Sequence, residues 1–361
     1  MGHDTQTAEE LIRYCDRAFD FQALGPGTRL PLPDEPFVAV WERWAAEAQD
    51  GARNRGAFAV LREHLPQLHF PIREGISQSE DYRAATLRGV PPEELAGATG
   101  LELERPDLVE LDIHPSPAGR IPVLLVRGRA EFVALVRALG RRNEPSPVPD
   151  SQGALMVSGF NNWARIRELL RKGEQMEEIL PRKELYQDSF ILLSDGPYSA
   201  VPAADLGLGE EEWKEISLAI RRDHECAHYF TRRLFGSMRN HAQDELMADW
   251  AGLAAAAGRF RADWFLRFLG LEDYPLYRPG GRLDIYRGDP PLSDEAFRAL
   301  WTLIRSAALN LESFDVRPGL EARALMLAAL ASLRLDELAS PAGEALLRAA
   351  LESIRARLGW P

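Results

Sequence analysis

From residue 210 onward the sequence is almost unbroken helical periodicity, and every stretch that reads as a strand lies before it, between residues 108 and 194. "LVELDI" (108–113) alternates apolar and polar like a half-buried strand. "IPVLLV" (121–126), "ALMV" (154–157) and "SFILLS" (189–194) are short apolar runs bounded by Gly, Pro or polar residues. "AEFVALVRALGRR" and "NNWARIRELLRKG" follow two of them with helical spacing. A handful of short strands beside many helices restricts the chain to an α+β class, predominantly helical, with a small sheet.

The helical stretches after the strands are expected over 210–235, 241–258, 261–269, 293–311, 318–335 and 340–358, with Ser293 in N-cap position. Before the strands, helices are expected over 7–19, 35–49 and 55–63, the second with Phe37, Val40, Trp41 and Trp44 on one side. "LGPGTRLPLPDEP" separates the first two as a loop, since its prolines lack backbone donors. The domain plan that follows is a helical N-terminal region (1–105), an α/β core (106–260) and a helical C-terminal subdomain (261–361). The irregular stretch at 270–291 is long enough to be functional.

Composition narrows the partners. With 45% hydrophobic and 27% charged residues over 361 positions, the chain has the make-up of a globular protein with a sizeable core. A net charge of −12 argues against nucleic acid or an anionic membrane, both of which select basic surfaces. Two cysteines, Cys15 and Cys226, make no disulfide framework. The first residues are polar, Gln6 stands where a myristoylation signal wants Ser or Thr, and no apolar run approaches the roughly 20 residues that span a bilayer. The expected location is cytoplasmic.

The chemistry concentrates in "RRDHECAHYF" (221–230), where His224, Glu225 and His228 form H-E-x-x-H. On a helix, residues four apart share a face, so both imidazoles project toward one point. Zinc in a catalytic site takes about three protein ligands and keeps a position for water, so a third ligand should stand on a nearby element. The following helix reads "NHAQDELMADWAGL": Glu245 lies 17 residues beyond His228, and Asp249 one turn further on the same face. Glu245 closes the coordination of one zinc ion, and Asp249 takes the proton on the far nitrogen of a ligating histidine.

H-E-x-x-H followed on the next helix by E-x-x-x-D resembles the gluzincin branch of zinc metallopeptidases, the thermolysin-like arrangement. The texture of this stretch is also similar to a bacterial family of uncharacterised zincin-like proteins. The resemblance covers His224 to about Leu253. It implies a zincin-like core, a small mixed sheet with two metal-binding helices, in which His224, His228 and Glu245 bind zinc. It also implies that Glu225 is the catalytic carboxylate and that Asp249 supports a histidine. Glu245 follows His228 sooner than in thermolysin-like enzymes, so the connection is tight. Arg221, Arg222 and Asp223 depart from the uncharged residues usual there; the two arginines either turn to solvent or face an acidic substrate.

The expected function is zinc-dependent hydrolysis of a peptide or small amide, with Glu225 as general base. Candidates for oxyanion or substrate contacts are His241, four residues before Glu245, and Arg282 and Tyr286 in the long loop. "SFILLS" is read either as an edge strand above the active-site helix, pairing with extended substrate, or as an ordinary core strand. Alternatives are a non-catalytic zinc-binding regulatory or interaction protein, and a helical scaffold on which the motif is fortuitous. A di-iron bundle would need a second E-x-x-H, and the chain has none. Cys226 should face the core, and His64, His69 and His114 lack neighbours at metal spacing.

Overall fold

The structure, a computed structural model, describes residues 2–16, 19, 21, 24–50, 55–237, 241–314 and 319–360. Those residues form an α+β chain that is mostly helical, with one four-stranded mixed sheet among them. After α1 (Gly2–Tyr14) come α2 (Val38–Gln49), α3 (Gly56–His64) and α4 (Glu80–Arg88). Then follow β1 (Val109–His114), β2 (Ile121–Val126), α5 (Arg129–Leu135), β3 (Ala154–Asn161), α6 (Trp163–Arg171), α7 (Met176–Ile179) and β4 (Gln187–Ser194). The remainder is α8 (Glu210–Phe235), α9 (Ala242–Ala257), α10 (Ala262–Leu269), α11 (Asp294–Glu312), α12 (Leu320–Ser332), α13 (Leu335–Ala339) and α14 (Gly343–Leu358).

These elements make two compact units. A sheet unit comprises Asp34–Pro115 and Arg120–Gly196; a helical unit comprises Met1–Pro33, Ser116–Gly119 and Pro197–Pro361. The strands and the two H-E-x-x-H-region helices, expected together within 106–260, therefore fall in different units.

In the sheet unit the strand order is β1-β2-β4-β3. β2 and β4 run parallel, while β1 and β3 pair antiparallel on the two sides. The apolar runs of β2 and β4 belong to inner strands, and Phe190, Ile191, Leu192 and Leu193 are all fully buried; continuous apolar sequence is what double-sided burial selects. "SFILLS" is thus an interior strand with both ladders filled, and its reading as an edge strand is corrected. The edge on that side is β3, four residues longer than the run 154–157 suggested.

One charge is sealed inside this unit. Asp188, at the start of β4, accepts from Trp41 Nε1 (2.7 Å), Asn162 Nδ2 (2.6 Å) and Arg165 Nη1 (2.5 Å). Asn162 also caps α6 through its Oδ1, so one carboxylate ties α2, α6 and β4 together. A fully buried carboxylate is tolerable only when its oxygens are satisfied, as here.

The helical unit is organised around α8 and α9. Gly209 caps α8, Glu210, Glu211 and Glu212 sit in its first turn, and Arg232 and Arg233 in its last, a distribution that complements the helix dipole. Gly236 ends it at φ 66°, a conformation costly for any residue with a Cβ. α9 is buried on nearly every side from Ala242 to Leu253, and α12 likewise from Ala324 to Ala331, which is why neither has a one-sided apolar stripe. The α8 and α9 backbones approach closely: a Cβ on Gly252 would lie 2.5 Å from the Ile220 carbonyl oxygen.

The expected helix over 210–235 coincides with α8. Elsewhere the boundaries move. The helix expected over 7–19 ends at Tyr14, and residues 17 and 18 lie outside the described set. The helix expected over 318–335 is α12, which ends at Ser332 because Leu333 turns extended; residue 318 lies outside the described set, and the short α13 that follows was not anticipated. α4 went unanticipated, since "EDYRAATLR" offers only a weak apolar stripe around Tyr82, Ala84 and Ala85.

Asp188→Ala leaves the Arg165 guanidinium buried without its carboxylate, and a loss of about 3–5 kcal/mol in unfolding free energy is expected from denaturant titration. Gly252→Ala forces α8 and α9 apart and should cost roughly 1–3 kcal/mol in the same measurement.

Candidate metal centre

α8 and α9 carry the three side chains that converge. His224 and His228 occupy one face of α8, with Nε2 atoms 3.2 Å apart. Glu245, one turn into α9, places Oε2 3.6 Å from His224 Nε2 and Oε1 3.5 Å from His228 Nε2. One ligand atom from each of the three side chains lies within 4.8 Å of the other two, close enough for all three to hold one cation. Among the described residues this is the one cluster of three His, Cys, Asp or Glu ligand atoms arranged closely enough to hold an ion. Two imidazoles and a carboxylate are the donor set of a catalytic zinc.

The far side of His224 is held by a second set of groups. Its Nδ1 lies 2.8 Å from Asp249 Oδ1 and 2.9 Å from the Tyr198 hydroxyl. With Nδ1–H donating to the carboxylate, Nε2 keeps its lone pair for the cation. Tyr198 donates its own hydroxyl to Asp249 Oδ1 (2.5 Å) and accepts from Arg282 Nη1 (2.9 Å). Arg282 closes the set through Nη2 to Asp249 Oδ2 and Nη1 to Ser199 Oγ (3.1 Å). Its guanidinium also stacks over the Tyr198 ring at 5.3 Å.

Both carboxylates are held in the charged form that a cation needs, whereas His228 carries a proton that a cation would have to displace. Burial would raise the carboxyls of Asp249 and Glu245, but Arg282 and His224 hold Asp249 low, and His228, His224 and Arg282 hold Glu245 far below the usual range. Burial would lower the His228 imidazole, yet the hydrogen bond and charge of Glu245, with Glu225 and Asp244 nearby, raise it to about 9. Burial first, and the Asp249 charge with it, push the Tyr198 phenol well above its ordinary value against the pull of Arg282, so it remains a proton donor.

Glu225 is half-buried on α8 and makes no hydrogen bond or ion pair with any described residue. Of the arginines before His224, Arg222 is part-exposed and pairs with Asp223, whereas Arg221 has structural partners, which corrects both earlier readings of Arg221. Arg221 is buried, donates to Pro197 O (3.1 Å) and lies over the Tyr198 ring. Asp223, also buried, accepts from Arg323 of α12 at 2.6 Å.

The tentative contacts divide. His241 is the N-cap of α9: Nδ1 accepts from Gln243 N, Nε2 bonds Tyr14 O at 2.9 Å, and the ring stacks on Tyr14. Both nitrogens are engaged away from the triad, so a metal-side role for His241 is corrected. Arg282 and Tyr286 lie in a short 3-10 turn, Arg282–Tyr286, of the long loop. Arg282 stands behind Asp249, and Tyr286 is buried nearby, its phenol pushed upward by burial first and by the charges of Glu245 and Asp249 against the pull of Arg282. Tyr198 and Tyr14 were missed. Tyr14 donates to Tyr286 O (2.7 Å) and accepts from Ala242 N (3.1 Å), joining the end of α1 to α9 and the 282–286 turn. Tyr198 sits where Ser199 and Ala200 take φ of 52° and 56°, unusual for residues with a side chain. The only sequence signal for it is the Gly-Pro loop running directly into α8.

The pattern of one protein family, described as a family of unknown function (DUF7005), matches residues 1–342. The chain belongs to that family. No curated protein and no solved structure matches this DUF7005 chain. The family match spans every residue of the candidate centre, from Tyr14 to Tyr286.

Tyr198→Phe deletes the donor to Asp249 and the acceptor for Arg282 at once. It should lower unfolding free energy by about 1–3 kcal/mol, checked by denaturant titration against the parent protein.

Proposed function

We propose that this chain is a zinc-dependent hydrolase, a metallopeptidase of gluzincin type with a zincin-like metal core, cleaving a peptide or small amide bond. The observation that carries the reading is the conjunction of a convergent His224–His228–Glu245 triad with an unpaired, half-buried Glu225 beside it. A centre that only held a metal has no use for an unpaired carboxylate at that position, and this favours hydrolysis over a purely regulatory zinc site.

Bound zinc supplies Lewis acidity, acidifying water and polarising a carbonyl. Glu225 accepts the proton of the attacking water and returns it to the leaving nitrogen. His224 is held in one orientation and one tautomer by Asp249, whose charge is in turn balanced by Arg282. Among the described residues no helix is long and apolar enough to cross a membrane.

The test is metal analysis followed by hydrolysis of a peptide library. The purified protein should hold one zinc ion per chain, and His228→Ala should lose it. Glu225→Gln should keep the zinc and slow hydrolysis by about 10²–10⁴-fold. Stoichiometric zinc with undiminished hydrolysis in Glu225→Gln would remove Glu225 from the mechanism; absence of zinc from the parent protein would remove the proposal.

A further inference from the structure

The sheet unit contains a groove of about 670 Å³ that plays no part in the metal centre. One wall is β3: seven consecutive residues, 155 to 161, line it. Side chains of a strand alternate between its two faces, so an unbroken run of lining residues means that the strand presents its edge, not a face. β3 pairs only with β4 and is the end strand of the sheet, so that edge carries backbone donors and acceptors with no ladder partner. The opposite wall is α4 together with the turn that follows α5.

The groove's charge is unlike that of the rest of the chain. Arg83, Arg141 and Arg142 line it, all three are exposed, and none forms an ion pair with a described residue. No Asp or Glu is among its described lining residues, although the whole chain carries a net charge of −12. Leu87, 56% exposed, adds an apolar contact. Ser158 and Gln67 are also among the lining residues, and Ser158 Oγ and Gln67 Oε1 are buried without a hydrogen-bond partner.

We propose that this groove binds an extended acidic peptide segment, added as a further strand on the free edge of β3. The shape selects an extended chain: seven strand residues span about 20 Å, whereas a compact small anion would meet only a few of them. Backbone pairing with β3 supplies affinity, and the three arginines select carboxylate side chains on the incoming strand. The bulge between Ser158 and Phe160, with Gly159 at φ 68°, interrupts the edge and works against indefinite pairing with further copies of the chain. The proposal is independent of the zinc reading, since it uses no residue of the metal centre.

The test is fluorescence anisotropy with the full chain and three labelled octapeptides: alternating Glu-Val, alternating Lys-Val, and the Glu-Val peptide N-methylated at every second residue. The Glu-Val peptide should bind at least about tenfold more tightly than either of the others. The triple variant Arg83→Gln/Arg141→Gln/Arg142→Gln should lose about tenfold or more of that affinity while its Tm and circular dichroism stay those of the parent, since all three side chains are exposed. Undetectable Glu-Val binding, equal binding of the Glu and Lys peptides, or unchanged affinity in the triple variant would each overturn the proposal. N-methylation without effect would leave a plain anion site and refute strand addition. A concentration-dependent dimer that excess Glu-Val peptide fails to dissociate would assign the edge to a second copy of the chain instead.

Discussion

The centre depends on two helix backbones lying nearly against each other. At Gly252 there is no room for a Cβ beside the Ile220 carbonyl, and that approach carries α9 close enough to α8 for a short carboxylate side chain to reach two imidazoles. His224 follows Ile220 by one turn, and Glu245 and Asp249 precede Gly252 by two turns and one. The distances within the triad follow from this contact, because side chains anchored on stiff helices have little freedom to correct a wider gap.

Behind the triad, charge is balanced in layers. Asp249 is completely buried, which would be prohibitive for a lone carboxylate, and it is surrounded by Arg282, the Tyr198 hydroxyl and the His224 ring. Each of these partners is itself anchored: Arg282 by Ser199, Tyr198 by packing against Phe268 and Arg221. An imidazole held this firmly presents one nitrogen in one direction, which is what a defined coordination geometry asks of the protein. The charged "RRD" before the motif serves the same end, because Arg221 and Asp223 brace the helix against its surroundings instead of facing outward.

Local patterns in the sequence carried the elements well. The 26 residues of α8 announce themselves through acidic residues at one end, arginines at the other and a terminal glycine, and the strand runs are apolar enough to stand out. What local pattern cannot express is neighbourhood. That β4 is interior and β3 the edge depends on pairings between strands far apart in the chain. In the centre, residues on two successive helices were legible because helix geometry relates their spacing to their facing. Tyr198 and Tyr14 were not, because they reach the site from a turn and from a distant helix end, and no periodicity links either to H-E-x-x-H. His241 illustrates the converse: its spacing from Glu245 suggested a shared face, but as the residue outside the first turn it has extended backbone and points elsewhere.

The Tyr14 hydroxyl and the Tyr286 carbonyl are joined across 272 positions of sequence. During synthesis the first of these residues leaves the ribosome long before the second exists, and Arg282 and Tyr286 follow both helices of the triad. A nascent chain that has completed α8 and α9 therefore has the three candidate ligands, Tyr198 and Asp249, but lacks Arg282, the guanidinium that balances the buried Asp249. The buried Asp249 thus gains its guanidinium partner only when synthesis has passed the 282–286 turn, well after the helix that carries it.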